Sequence, residues 1–261
     1  FRALFPRSSL VDRSQREEVR LAFEVARVSG TVEAWTAFQA NYASVAVAQA
    51  LLDEAAALEA QAAFKEAAAA NSLAEWSSFC SRYPNSPLAA RALRAEISLA
   101  FAQAREAGTK TALRRFAQTY SSYDTAKQHI TAARRLEVQR AFAAAIALEN
   151  EAGLTGFLDE YETWQEAIGE AAQARRTLLR MRLHQSVASA DQAQIETFLR
   201  LHREWPDASA ELRAGRRELV LLAFAEATRD RSVALWHKFV ERFEGWEEAD
   251  RELVIARSRA N

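Results

Sequence analysis

The chain has very little of what sharp turns, strands and covalent cross-links are made from. Its 261 residues include seven glycines and four prolines, too few to punctuate a sheet with hairpin turns. The alanine-rich lettering between them favours helix almost throughout. The single cysteine, Cys80, excludes an internal disulfide and any cysteine-rich metal site. A formal net charge of −1, balanced between the two halves, lacks the basic excess that gripping a nucleic-acid backbone requires. No apolar run approaches the roughly 20 residues that span a bilayer, the longest being of the Leu219–Ala225 kind. The expectation is an all-α chain, 49% apolar and 26% charged, with enough length to bury a large core.

The usual constellations of catalysis are also missing. His129, His184, His202 and His237 show no metal-ligand spacing, and Cys80 stands beside Phe79 with no histidine in phase. The glycines form no phosphate-cradling loop. Carboxylate pairs such as Glu247-Glu248 fall at helix starts, where negative charge suits the helix dipole. No catalytic residue, cofactor or metal is expected.

What the chain does have is a repeat. Thr31, Ser72, Thr109, Asn150, Asp191 and Ser232 recur at spacings of 41, 37, 41, 41 and 41, and all are residue types that cap helix N-termini. Four residues on stand Trp35, Trp76, Leu113, Leu154, Ile195 and Trp236, and three further on Phe38, Phe79, Phe116, Phe157, Phe198 and Phe239. Four more bring Tyr42, Tyr83, Tyr120, Tyr161, His202 and Phe243. Offsets of 4, 7 and 11 put three columns on one side of a short helix A, about 16 Å long. Such a helix cannot bury its stripe alone.

Each helix A is followed by a longer helix B, expected over 45–69, 87–107, 124–148, 165–188, 207–229 and 246–260. A partial unit precedes them, its helix B starting near Ser9 and ending at Gly30, a natural residue for the helix exit. Phe5-Pro6 precedes Phe23 as Tyr83-Pro84 precedes Phe101, so the chain is expected to begin inside a longer array. Pro84 and Pro87 bracket one A-to-B turn, and Pro206 opens another helix B. Repeat two is four residues short, and phase is regained by Phe101, which places the deletion in the A–B turn or the first turn of helix B. Helix B carries its own columns: Phe23, Phe64, Phe101, Phe142, Leu183 and Phe224, then Ala26, Ala67, Ala104, Ala145, Ser186 and Ala227. A third column, Ser14, Ala55, Ala92, Ala133, Ala174, Gly215 and Ala256, stays small, as close helix packing demands. The repeats read as 31–71, 72–108, 109–149, 150–190, 191–231 and 232–261 after the partial 1–30. They form one α-solenoid of alternating short and long antiparallel helices over 1–261.

Around Phe79, Tyr83, Pro84, Asn85 and Ser86 the sequence resembles bacterial tetratricopeptide-type repeats, with a Tyr-Pro-x-Ser turn between paired helices. The period of 41 and the unequal helices depart from that family's pattern, and a HEAT-like label fits the period equally well. The resemblance implies a non-catalytic scaffold that binds other proteins, in a bacterial periplasm or envelope or in the cytoplasm. The alternative is a spacer or regulatory array of a larger enzyme whose catalytic domain lies outside this chain. A third reading is self-association through exposed end faces.

One charged pattern keeps register on helix B. Arg134, Arg175, Arg216 and Arg257 recur at 41, as do Arg135, Arg176 and Arg217. Glu18, Glu59, Glu96 and Glu137 form an acidic ladder one turn away, ending where the arginines begin. Two readings compete: a salt-bridged surface drifting with duplicated sequence, or a docking strip for an acidic segment or domain of a partner protein. The bias of 30 Arg against 4 Lys runs through the whole chain. Trp164, Trp205 and Trp246, with Tyr123 in the same place, read as seals of the A–B turn or as a groove for a peptide or glycan.

Overall fold

The computed structural model of the protein describes residues 11–205 and 208–260. The features read at Phe5-Pro6, Ser9, Pro206 and Asn261 lie outside the described residues. Among those described there is no strand, and thirteen α-helices follow one another: α1 Val11–Ser29, α2 Val32–Tyr42, α3 Gln49–Ala70, α4 Leu73–Arg82, α5 Ala89–Ala107, α6 Lys110–Thr119, α7 Lys127–Ala147, α8 Glu151–Tyr161, α9 Ile168–Ala188, α10 Gln192–Leu201, α11 Ser209–Asp230, α12 Val233–Phe243 and α13 Asp250–Ala260. Short and long helices alternate from α2 to α11 as the columns require.

Local chemistry sets the boundaries. Thr31, Ser72, Thr109, Asn150 and Asp191 are extended residues whose side-chain oxygens accept from backbone N–H groups of the next turn. Ser232 has the extended backbone without the side-chain bond, so the sixth cap of the pattern is not made. The residue before each cap lies in the left-handed region: Gly30, Asn71, Gly108, Glu149, Ala190 and Arg231. Each long helix therefore ends, and the next short one begins, across a single reversed residue. Four of the six, Gly30, Asn71, Gly108 and Arg231, donate to the carbonyl of the alanine four positions back, Ala26, Ala67, Ala104 and Ala227.

The opposite turn is built differently. A single 3-10 turn precedes α3, α7, α9 and α13, over Ala46–Ala48, Asp124–Ala126, Gln165–Ala167 and Glu247–Ala249. Its last residue is an alanine that solvent does not reach. Repeat two has no 3-10 turn. From Phe79 the residue capping the long helix, Leu88, comes one position early, and the small-column Ala92 follows it three positions sooner than Ala55 follows Ala48. The missing four residues are thus one from the turn and three from the first turn of helix B.

The chain divides into two compact units, 1–134 and 135–261, with the division inside α7. In the first, α1 to α6 each pack on the next. Phe23 of α1 meets Trp35 and Phe38 of α2 at ring distances of 5.2 and 5.5 Å, and Phe64 of α3 meets Trp76 and Phe79 of α4 at 5.3 and 5.5 Å. Helix B thus drives one ring into the aromatic stripe of the following helix A, where tilted and edge-on contacts add to area burial. In the second unit, α8 to α13 likewise pack each on the next. Phe224 sits 5.4 Å from Trp236 and 5.7 Å from Phe239. Gly215 replaces alanine in the small column because a β-carbon there would lie 3.1 Å from Leu199 and 3.3 Å from Leu183.

Candidate functional site

The two arginine rows are committed to carboxylates and carbonyls of their own chain, and the two rows do different things. Arg175 and Arg257 each reach a glutamate in the preceding A–B turn, Glu162 at 2.7 Å and Glu244 at 3.3 Å. Arg216 has Arg203 at that place in the sequence and instead lies 3.7 Å from Glu248. The second row reaches forward. Arg135 donates to the carbonyl of Glu166 and lies 3.0 Å from the Glu170 carboxylate. Arg217 repeats the arrangement one period pair later, donating to the Glu248 carbonyl at 2.6 Å and to both Glu252 oxygens at 2.6 and 2.8 Å. That fork holds the Glu252 carboxyl below its ordinary range. Arg176 turns back to the carbonyl of Ala172 at 3.4 Å, and Arg180 takes Glu211 at 3.0 Å. Arg134 is engaged as well. Arg175, read as an outer-face residue, has a side chain only 15% exposed.

Arg134, Arg135, Arg176, Arg216 and Arg257 remain exposed, whereas the acidic ladder turns inward along its length. Glu18 is exposed, Glu96 half-buried, and Glu59 and Glu137 are buried. Burying a carboxylate requires donors, and the tyrosine column supplies them from 24 positions on: Tyr83 to Glu59 at 2.7 Å, Tyr120 to Glu96 at 3.0 Å, Tyr161 to Glu137 at 3.0 Å. Where the column changes to His202 and Phe243, the residue 24 earlier is Leu178 or Leu219, both buried. The ladder ends because its phenols end. This shared spacing was available in the sequence and is the signal that would have placed the glutamates inside.

The turn aromatics close on that same column. Trp164 stacks edge-on against Tyr161 at 5.2 Å, Trp205 against His202 at 4.9 Å and Trp246 against Phe243 at 5.3 Å. His202 is a packed ring with a defined tautomer: Nδ1 donates to the Phe198 carbonyl at 2.8 Å, so Nε2 accepts from Arg182 at 3.1 Å. Burial pushes its pKa down, consistent with a neutral imidazole. Arg182 is an arginine in a column of alanines, Ala22, Ala63, Ala100, Ala141 and Ala223. It reaches Glu151 at 2.9 Å and lies over Trp205. Cys80 is half-buried beside Glu96, and burial followed by that carboxylate pushes its thiol pKa up. His237 is exposed. Among the described residues no group of three metal-ligating side chains converges.

A groove of about 600 Å³ lies between α5 and α6, lined by Leu73, Ala100, Gln103, Arg115, Thr119 and Tyr120 among others. A second groove, of about 110 Å³, lies between α11 and α12. Its lining residues Ala223, Glu226, Ala227, Leu235, Lys238, Phe239, Arg242 and Phe243 stand 123 positions, or three periods, after Ala100, Gln103, Ala104, Ala112, Arg115, Phe116, Thr119 and Tyr120. Gln192 corresponds to Leu73 across the shortened repeat. The two are one groove in two states of filling: Arg242 and Leu235 occupy the second where Thr119 and Ala112 leave the first open. The sequence reading gave no weight to Ala112 and Thr119 because they lie outside its aromatic columns.

No protein-family profile, curated protein or solved structure matches the chain.

Proposed function

We propose that this chain is a non-catalytic helical-repeat protein, its helix pairs stacked as an α-solenoid of tetratricopeptide-like character, that binds a segment of another protein. The observation carrying this reading is the open groove on α5 and α6. Its volume of about 600 Å³ is in the range of ligand sites, and its walls mix apolar atoms of Leu73 and Ala100 with the polar tips of Gln103, Arg115 and Thr119. Charged side chains elsewhere in register hold the chain together. Arg135 and Arg217 tie successive long helices, α7 to α9 and α11 to α13, so the groove takes precedence over the arginine strip as the docking surface.

The test is a random peptide library displayed against the immobilised chain, with the footprint of each binder mapped by amide hydrogen exchange. The reading expects binders that protect α5 and α6. Binders that protect only other surfaces, or a library that yields none, would overturn it.

A further inference from the structure

The chain itself shows what fits at the edge of this groove, where Thr119 and Tyr120 line it. The residue just before the tyrosine column is Arg82 in α4 and Arg242 in α12, and at both places its guanidinium meets a carboxylate and lies over the ring of the next residue, the carboxylate coming from α3 in the first case and from α10 in the second. Arg82 Nη2 lies 2.5 Å from Glu59 Oε1 and 3.2 Å from Thr36 Oγ1, with the guanidinium over the Tyr83 ring at 5.2 Å. Arg242 Nη2 lies 2.5 Å from Glu196 Oε1 and Nη1 2.6 Å from Gln192 Oε1, with the guanidinium over the Phe243 ring at 5.0 Å. In each case the arginine crosses to the previous short helix, contacting Thr36 or Glu196, which stand at one position of the repeat.

At the open groove that position is Thr119, too short to cross. The residues that match its partners are nevertheless present. Glu96 corresponds to Glu59, Ser77 to Thr36, Tyr120 to Tyr83 and Cys80 to Gln39. Glu59 receives four donors, from Thr36, Gln39, Arg82 and Tyr83. Glu96 receives the Tyr120 hydroxyl at 3.0 Å, with no cation among the described residues. A half-buried carboxylate without a cation, bonded to a buried tyrosine and with an exposed serine at the repeat position of Thr36, is complementary to a planar, positively charged donor. Arg115 in the groove does not exclude one, since Lys238 lines the counterpart that holds Arg242.

We propose that the Ser77–Glu96–Tyr120 corner is a receptor for the guanidinium of an arginine side chain carried by the partner protein. The inference rests on the groove being the docking surface, and it names the side chain the groove reads.

The experiment titrates the ¹⁵N-labelled chain with a blocked pentapeptide carrying a central arginine, beside the same peptide with citrulline, which keeps the shape and removes the charge. Saturable amide shifts at Ser77, Glu96 and Tyr120 are expected with the arginine peptide. Citrulline, or E96Q in the chain, should weaken binding by about tenfold or more, the equivalent of one charge-assisted hydrogen bond. T119R should abolish binding by filling the corner from within, with the circular dichroism spectrum unchanged. Equal binding of the two peptides, or wild-type binding by T119R, would overturn the proposal. If neither pentapeptide shifts these amides while library peptides still protect α5 and α6, the arginine inference fails and the docking reading stands. If nothing protects the groove, both fail.

Discussion

The groove on α5 and α6 and its counterpart on α11 and α12 share their backbone columns and differ in the side chains set on them. Thr119 and Ala112 leave about 600 Å³, whereas Arg242 and Leu235 leave about 110 Å³. The columns that make the fold, such as Phe116 and Phe239, are buried alike in both. A repeat can therefore keep its core and vary a binding surface, because the neighbours of Phe116 one turn away, Ala112 and Thr119, change size while the phenylalanine stays buried.

The largest effect should fall where the two grooves agree. Phe116→Ala and Phe239→Ala should each cost about 3–5 kcal/mol in urea unfolding. A much smaller loss at either would mean that the shared wall is not core. Next comes a pair that should separate the repeats. Glu59→Ala strips an acceptor from four donors and should cost about 2–3 kcal/mol, against about 1 kcal/mol for Glu96→Ala. Equal losses would mean that Glu96 is already as fully engaged as Glu59.

A smaller contrast lies in the left-handed links. The first unit places Gly30, Asn71 and Gly108 there, the second Glu149, Ala190 and Arg231. A β-carbon at positive φ costs about 1 kcal/mol, so Ala190→Gly should stabilise by about that much, read as a raised melting temperature. An unchanged or lowered value would contradict the assigned backbone.

The smallest effect is in pH. Burial first, then the bond to Glu96, pushes the Tyr120 phenol from its ordinary 10.0 up to about 12. The folded state therefore holds this proton more tightly than the unfolded one. Its contribution is complete below the unfolded pKa and is lost as pH rises from about 10 towards 12. Burial also raises the Tyr83 phenol, so tyrosinate absorbance and melting temperature followed together across that window should show late-titrating phenols, and Glu96→Gln should bring only that of Tyr120 earlier.

The helices and their aromatic core were legible because phase carries them: Thr31, Trp35, Phe38 and Tyr42 predict one face of one helix, and five of the six caps form as read. The charged side chains were not legible one column at a time. Glu59 and Glu137 look like a solvated ladder until they are paired with tyrosines 24 positions on, and Arg217 looks like a surface charge until Glu252 is placed beside it. Helical periodicity says which side chains share a face, not which face of another helix they meet. The open groove was invisible for a related reason: it is made by small residues, Ala112 and Thr119, whose meaning appears only against the larger Leu235 and Arg242 three periods later.

The most direct test of the claim that one variable position decides whether the groove is open is a crystal structure of the Thr119→Arg variant. The account predicts that the introduced guanidinium lies against the Glu96 carboxylate and the Ser77 hydroxyl, over the Tyr120 ring, with the groove reduced towards the volume of its counterpart. A side chain extended into solvent, leaving Glu96 without a cation and the groove open, would contradict it.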